Sequence, residues 1–263
     1  MFVDYAGMSM PVVDRDSGEV REAQIFVAAL GAIDYTYAEA TWTQELPNFI
    51  RSHVRAFSFF GGVPKVVVPD NPKQCVSKAC YYDPDINPTY QDMVTYYGVA
   101  IIPARPAKPK DKAKVESAVG VVERWILAPL RNRVFFSLSE LNERPFQKLE
   151  GSRRKLFLEI DKPALMPLPE KPYEFAYWRK AKVNIDYHIE VEGSYYSVPY
   201  KLIGKRVDVR LTSGIVEILL NSKRIASHIR SYKKGTYSRV PIAPTQIPSK
   251  VPGVDPIKDH RLG

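Results

Sequence analysis

Phe2-Val3-Asp4-Tyr5-Ala6-Gly7, running on through Met8, Met10 and Val12, opens the chain and sets the architecture that follows. Residues 2–13 read as a strand, and Asp14-Arg15-Asp16-Ser17-Gly18-Glu19 as the turn that ends it. A second strand follows from Glu22 to Gly31, around the apolar run Ile25-Phe26-Val27-Ala28-Ala29-Leu30, and a third from Tyr35 to Trp42. Together they predict an antiparallel meander. Thr43 then stands as a helix cap before Leu46, Phe49, Ile50, His53, Val54 and Phe57 at helical spacing, and Gly61-Gly62 closes that helix. Lys65-Val66-Val67-Val68-Pro69-Asp70 is a short strand of the kind buried on both faces. Thr89 to Gly98 reads as a helix and Val99 to Ile102 as a strand, before a loop with prolines at 103, 106 and 109. Residues 112–130 form an amphipathic helix with Val115, Val119, Val122 and Ile126 on one face. Three strands in a run, followed by alternating elements, predict an α/β fold: a mixed five-stranded sheet with flanking helices.

Beyond this part the character changes. Residues 131–165 look mainly helical and polar, and Pro163 to Pro172 is proline-rich. Residues 181–240 carry short β runs at Val183–Ile189, Tyr195–Tyr200, Val207–Leu211, Ile215–Leu220 and Arg224–Arg230, with turns at Glu192-Gly193, Thr212-Ser213-Gly214 and Asn221-Ser222. That is the pattern of a small β-barrel or sandwich. The domains expected are residues 1–135 (α/β), 136–180 (helical and proline-rich linker), 181–240 (small basic β-barrel) and 241–263 (extended or disordered tail).

Composition bounds the function. The 263 residues are 45% apolar, enough for a core, and the two cysteines exclude a disulfide scaffold and fit a reducing cytosol. No run approaches the ~18 apolar residues of a membrane helix, so no membrane partner is expected. The net charge of +9 is unevenly spread. Residues 1–100 carry 7 basic and 12 acidic side chains, residues 101–160 carry 13 and 7, and residues 197–240 carry 10 and 2. An acidic first part followed by basic blocks points to a catalytic half joined to a polyanion-binding half.

Three carboxylates stand out by placement: Asp4 within the first strand, Asp70 at the end of a buried strand, and Glu116 in the first turns of the long helix. Taken singly, each has an ordinary structural role, as a turn former before Asn-Pro or as an acid favouring a helix dipole. Brought together, they would repel one another and require a cation, and an all-oxygen donor set points to Mg²⁺ or Mn²⁺. Cys75 and Cys80 lack the two further ligands a zinc site needs, His53, His188, His228 and His260 are scattered, and no Walker-type phosphate loop is present. The aromatics Tyr35, Tyr37, Trp42, Tyr195, Tyr196 and Tyr200 read as packing residues rather than base-stacking platforms.

Three segments, Phe2-Val3-Asp4-Tyr5-Ala6-Gly7, Val66-Val67-Val68-Pro69-Asp70-Asn71 and Lys112-Ala113-Lys114-Val115-Glu116-Ser117, resemble the DDE transposases and integrases of the RNase H-like superfamily. More narrowly they resemble the IstA-type transposases of insertion sequence family twenty-one. The resemblance covers nearly the whole chain, and the 45-residue gap between Asp70 and Glu116 agrees with that branch. It implies an RNase H-like integrase catalytic core followed by a small β-barrel. It implies that Asp4, Asp70 and Glu116 are catalytic and hold two Mg²⁺ or Mn²⁺ ions with DNA bound. The reaction implied is cleavage at the transposon's 3′ end and strand transfer into target DNA. The partners implied are transposon-end and target DNA, further copies of the chain in a multimer on DNA, and an AAA+ helper ATPase. The expected location is the bacterial cytoplasm, at the nucleoid when bound to DNA. Glu123 shares the face of Glu116 and stays open as the alternative third ligand, while Asn71 and Lys73 border Asp70. DNA-phosphate contacts are expected from Lys108, Lys110, Lys112 and Lys114, and from Lys201, Lys205, Arg206, Arg210, Lys223, Arg224, Lys233 and Lys234 of the basic β region. Asp4 lies three residues from the start, so the family's N-terminal helix-turn-helix region is expected to be missing and the chain to be a fragment. The competing readings are a truncated, non-catalytic DNA-binding remnant and a nuclease acting on RNA–DNA hybrids.

Overall fold

The computed structural model describes residues 1–69, 76–78, 85–102, 119–120, 122, 128, 133–143 and 155–238. Strand β1 (Phe2–Val13) pairs antiparallel with β2 (Val20–Ala29), and β2 with β3 (Thr36–Thr41). The β1–β2 turn forms because Asp14 Oδ1 accepts the backbone N–H groups of Asp16 and Ser17 at 3.0 and 2.8 Å, while Gly18 supplies the φ of +69°. The β1–β2 register shifts between Tyr5 and Ser9, a bulge that leaves Gly7 and Met8 exposed.

Helix α1 (Leu46–Phe60) begins two residues later than a Thr43 cap requires. Pro47 lacks an N–H and fits only the first turn, which fixes the start beside it. Glu45 takes the N-cap position with no side-chain cap bond, and Thr43 Oγ1 accepts from Asn48 Nδ2 at 2.9 Å instead. Gly61 ends the helix at φ +63°, and Lys162 Nζ donates to the Phe60 and Gly61 carbonyls at 3.0 and 2.6 Å.

Strand β4 (Val66–Pro69) runs parallel to β1, with Phe2 opposite Val68 and Val3 opposite Pro69. A separate two-stranded ribbon, β5 (Val76–Lys78) and β6 (Asp85–Ile86), follows, which the apolar pattern did not signal. Helix α2 (Pro88–Tyr97) is capped by Asn87 Oδ1 on the Thr89 N–H, and β7 (Ala100–Ile101) pairs parallel with β4. The sheet order is β3-β2-β1-β4-β7. Three antiparallel strands followed by two parallel ones, with helices on the faces, is the RNase H-like arrangement.

Both faces of the sheet are covered. On one, Phe49 and His53 of α1 meet Tyr5 and Phe26, with ring centroids of Phe26 and Phe49 5.8 Å apart, and Ile50, Ala56, Phe57 and Phe60 of the same helix are buried. On the other, Ala6, Met10, Val12, Ile25, Val27, Ala38 and Ala40 meet Val122, Phe135 and Leu141, with Val119 and Leu138 against them. Each of the large side chains on these faces contributes about 1.5–3 kcal/mol by leaving water. Val119, Gly120, Val122 and Ala128 are helical, and helix α3 (Leu138–Glu143) follows. Among the described part of 131–165, α3, Lys155 and Leu156, and the turns at Phe157–Asp161 and Lys162–Ala164 are helical. The proline-rich stretch is not free of the core. Met166 bridges to Val63, and Tyr173 donates through its hydroxyl to Asp92 at 2.7 Å.

The chain divides into two units, Met1–Tyr173 and Glu174–Gly263. The second contains a four-stranded antiparallel sheet, β13-β12-β11-β8, made of β8 (Tyr177–Lys182), β11 (Arg206–Leu211), β12 (Ile215–Leu220) and β13 (Lys223–Ile229). It also contains the sheet β14-β10-β9, from β9 (His188–Val191), β10 (Ser194–Ser197) and β14 (Tyr237–Ser238). Val183, Ile189, Val191, Tyr196, Val207, Val209, Leu211, Val216 and Ile218 fill the space they enclose. The turns at Glu192-Gly193 and Asn221-Ser222 both take positive φ, the twist-matched form of a two-residue hairpin. Strand β8 lies partly in the stretch read as linker, because Arg179, Lys180 and Lys182 on an exposed edge strand hide the alternation. Val183 to Tyr187, read as the start of a strand, is instead the turn before β9, closed by Tyr187 at φ +54°.

Candidate active site and nucleic-acid interface

Asp4 lies in β1 opposite Val27. Directly opposed residues share a face, so Asp4 lies on the side where Val27 packs with Val119 and Val122. It is half-buried and has an interaction partner. Its neighbour Tyr5 faces the other way, toward Phe26 and Phe49, with centroids 5.7 and 6.2 Å away. The Tyr5 hydroxyl reaches the Thr43 carbonyl, and burial pushes its pKa up to about 12. Asp70, Glu116, Glu123, Asn71, Lys73, Cys75 and Cys80 lie outside the described residues, as do Lys108, Lys110, Lys112 and Lys114. Among the described residues there is no group of three or more His, Cys, Asp or Glu placed to hold a metal.

Two buried polar groups were given no role from sequence. Glu39 in β3 is 5% exposed and sits under α1. Arg55 grips it with both arms, Nε to Oε2 at 2.6 Å and Nη2 to Oε1 at 2.9 Å, and the Tyr37 hydroxyl donates to Oε2 at 3.0 Å. Burial and the Glu39 charge push the Tyr37 hydroxyl well above its ordinary range. The cavity alongside, about 460 Å³, is lined by Tyr37, Glu39, Trp42, Arg55, Phe59 and Asn142 among others. The Asn142 side chain bonds both the N–H and the C=O of Ala40, at 2.6 and 3.1 Å, closing part of the free edge of β3. An acid on a strand that alternates with Ala gives no signal in sequence, because its partner is sixteen residues away on a helix. His53 is the second such group. It is fully buried, its Nδ1 bonded to the Phe49 carbonyl at 2.8 Å and its Nε2 to the Tyr90 hydroxyl at 3.2 Å. Burial lowers its pKa to about 4, so it stays neutral.

In the second unit the cations divide into two sets. Lys201, Lys205, Arg206, Lys223, Lys233 and Lys234 are exposed, with no ion pair among the described residues. Arg210 and Arg224 instead clamp Glu217 from either side at 3.0 and 2.7 Å, while Arg179 and Arg230 hold Glu192 at 3.5 and 2.7 Å. Part of the basic charge counted from sequence is therefore paired within the unit.

Residues 168–239 match the family described as Mu transposase, C-terminal domain. Over 254 residues, the chain is 48% identical to y4uI of Sinorhizobium fredii (strain NBRC 101917 / NGR234), assigned as a transposase; the match covers 92% of this chain and 49% of that protein. It is also 48% identical to the protein assigned as the transposase of insertion sequence IS408 in Burkholderia multivorans (strain ATCC 17616 / 249), over 91% of this chain and 48% of that one. The transposase of insertion sequence element IS21 from Pseudomonas aeruginosa is 29% identical, over 81% of this chain and 57% of that one. Among solved structures, the catalytic core domain of BIV integrase aligns at a TM-score of 0.38 and 12% identity, covering 62% of this chain and 96% of that chain. Over nine-tenths of its length the chain is homologous to insertion-sequence transposases at 47–48% identity, and at lower identity to the IS21 transposase. It spans about half the length of the curated relatives it matches.

Proposed function

We propose that the first unit is the catalytic part of a DNA transposase, which cleaves the 3′ end of a mobile element and joins it to target DNA, with Asp4, Asp70 and Glu116 as its metal-holding carboxylates. The observation that carries this reading is the β1–β4 register. Val3 stands opposite Pro69 in parallel strands, so Asp4 and Asp70 are each the next residue along the chain from a paired position. Packing of Val119 and Val122 on the face that Asp4 shares supports Glu116, three residues before Val119, as the third ligand.

The residues fit Mg²⁺ or Mn²⁺: Asp4 offers hard oxygens from a rigid central strand, and Asp70 and Glu116 add only oxygen donors. Two such ions, when bound, supply an activated water or hydroxyl and stabilise the leaving oxygen of a phosphodiester. The chain's own part is to hold the carboxylates ionised and converging, and to fix the DNA backbone beside them. Lys108, Lys110, Lys112 and Lys114 are proposed to hold phosphates there. Tyr5 is the nearest alternative nucleophile in sequence, but it is buried on the opposite face and protonated. This supports direct transfer without a covalent protein–DNA intermediate.

The second unit is proposed to hold duplex DNA through its exposed lysines and arginines. Assembly as a multimer on DNA, cooperation with an AAA+ helper ATPase and a cytoplasmic, nucleoid-associated location belong to the same proposal. The test is cleavage and strand transfer on a transposon-end duplex with Mg²⁺ or Mn²⁺, comparing the chain with Asp70→Asn. Loss of at least about 10²-fold in rate, with DNA affinity unchanged, is expected. Equal cleavage by both proteins removes Asp70 from the site. Metal-independent DNA binding with no cleavage by either protein favours the non-catalytic remnant, for which the exposed cations suffice.

A further inference from the structure

One end of the second unit exposes apolar and aromatic side chains beside a cavity. Ile185 (88% exposed), Tyr187, Tyr200 (67%) and Ile203 all stand in solvent on two neighbouring segments. The segments are tied together by hydrogen bonds from Val198 N to the Tyr187 carbonyl at 2.9 Å and from Gly204 N to the Val183 carbonyl at 3.0 Å. Tyr187, Ser197, Val198, Pro199 and Tyr200 line a cavity of about 470 Å³. Such a volume accepts a small planar ring system. Tyr200 was expected in the core from sequence; it is among the more exposed aromatics of the described chain.

Two details set the place apart from an ordinary loop. Tyr187 adopts φ +54°, a left-handed conformation unusual for a bulky side chain and favoured by Gly or Asn. The turn thus carries a ring where a smaller residue folds more easily. The ring lies nearly parallel to His188, with centroids 5.1 Å apart, and His188 meets Tyr237 edge-on at 5.4 Å, so Tyr187 rests on a firm base. The second detail is charge. Lys201 Nζ stands 6.0 Å from the Tyr200 ring centroid, and Lys205 and Arg206 are exposed a few residues on. The nearby acid, Asp186, is turned to His188, its Oδ2 3.3 Å from Nδ1.

We infer that Tyr187 and Tyr200 form a stacking site for one unpaired base of single-stranded DNA, at the overhang of a cut DNA end, with Lys201 on the adjoining phosphate. Aromatic faces beside cations are what single strands use, because every base has a π-face and every linkage a charge. The flanking Lys201, Lys205 and Arg206 favour a polyanion over an apolar protein segment. This rests on the reading that the second unit binds DNA and goes beyond it by separating unpaired from paired DNA.

The experiment is equilibrium binding without metal, using the full chain, a blunt duplex, and the same duplex with a short overhang carrying 2-aminopurine. Wild-type protein is expected to favour the overhang and to quench its fluorescence by stacking. Tyr200→Ala removes the quenching and lowers overhang affinity about tenfold, leaving blunt-duplex affinity unchanged. Tyr200→Trp restores both. Tyr200 is exposed, so neither variant threatens the fold. Equal binding of blunt and overhang DNA with no quenching overturns the stacking site and leaves duplex binding standing. No binding of either DNA overturns the parent reading as well. A change in sedimentation on Tyr200→Ala without change in overhang binding assigns the patch to protein contact and overturns the proposal.

Discussion

Glu39 in the first unit and Glu217 in the second each hold arginine, but the two arrangements do opposite things. Glu39 is buried in the sheet, and Arg55 reaches in from a helix to compensate it. Glu217 lies on a sheet between Arg210 and Arg224 and occupies both. In the first unit a cation serves a buried acid and holds α1 to β3. In the second an acid serves two cations and lowers the positive charge of the sheet surface. The same ion pair is thus a brace in one place and a reduction of surface charge in the other.

The strongest way to break this comparison is acid. His53 is neutral and buried in the first unit, with its pKa lowered from 6.5 to about 4. Between those values the unfolded chain binds a proton that the folded one refuses, so stability is full above pH 6.5 and falls as pH drops toward 4. The loss attributable to this group is roughly 3 kcal/mol. His228 in the second unit is lowered by burial too and acts in the same sense. Denaturant melts from pH 7 to 4 should show the decline, and His53→Gln should flatten it in the first unit. An unchanged slope in that variant would discard His53 as the sensor.

Next comes Arg55→Ala, which leaves Glu39 buried without its cation. A cost of about 2 kcal/mol is expected, below the 3–5 kcal/mol of a wholly buried pair because the Arg55 side chain is 48% exposed. Thermal melting of this variant beside Glu39→Gln/Arg55→Ala separates an unpaired charge from lost packing, since the double variant recovers part of the loss only if charge is the cause.

The smallest effect is expected from Glu217→Gln. Releasing Arg210 and Arg224 should raise duplex affinity about two- to threefold at low salt. The log–log salt dependence should steepen by up to about 1.8 if each guanidinium gains a phosphate. An unchanged salt slope means these arginines face away from the DNA, and the exposed lysines carry the binding alone.

Much of the scaffold was legible in the chain. Phe2 to Val13 alternates strongly enough to mark a strand, Gly61 and Gly98 mark helix ends by their left-handed backbone, and Asn221-Ser222 marks a hairpin. The Thr43 cap was misplaced because Pro47 outweighs a capping hydroxyl in setting where a helix starts. Strand β8 was hidden because an edge strand has no need for apolar residues on its open side. The charge blocks indicated that the second unit is basic, but not that Glu217 and Glu192 take up four of its arginines.

The amino-acid order alone was enough for the succession of strands and helices that build the five-stranded sheet, since hydrophobic period and turn residues act within a few positions of one another. It also carries the sign of each charge block, and it offers Asp4, Asp70 and Glu116 as candidates through resemblance. It took the folded chain to show which side of the sheet Asp4 and Tyr5 each face, that Arg55 answers Glu39, and that Tyr200 stands in solvent rather than in the core. Those facts depend on pairing between residues far apart in the chain, where register, bulges and burial are set by packing rather than by local preference.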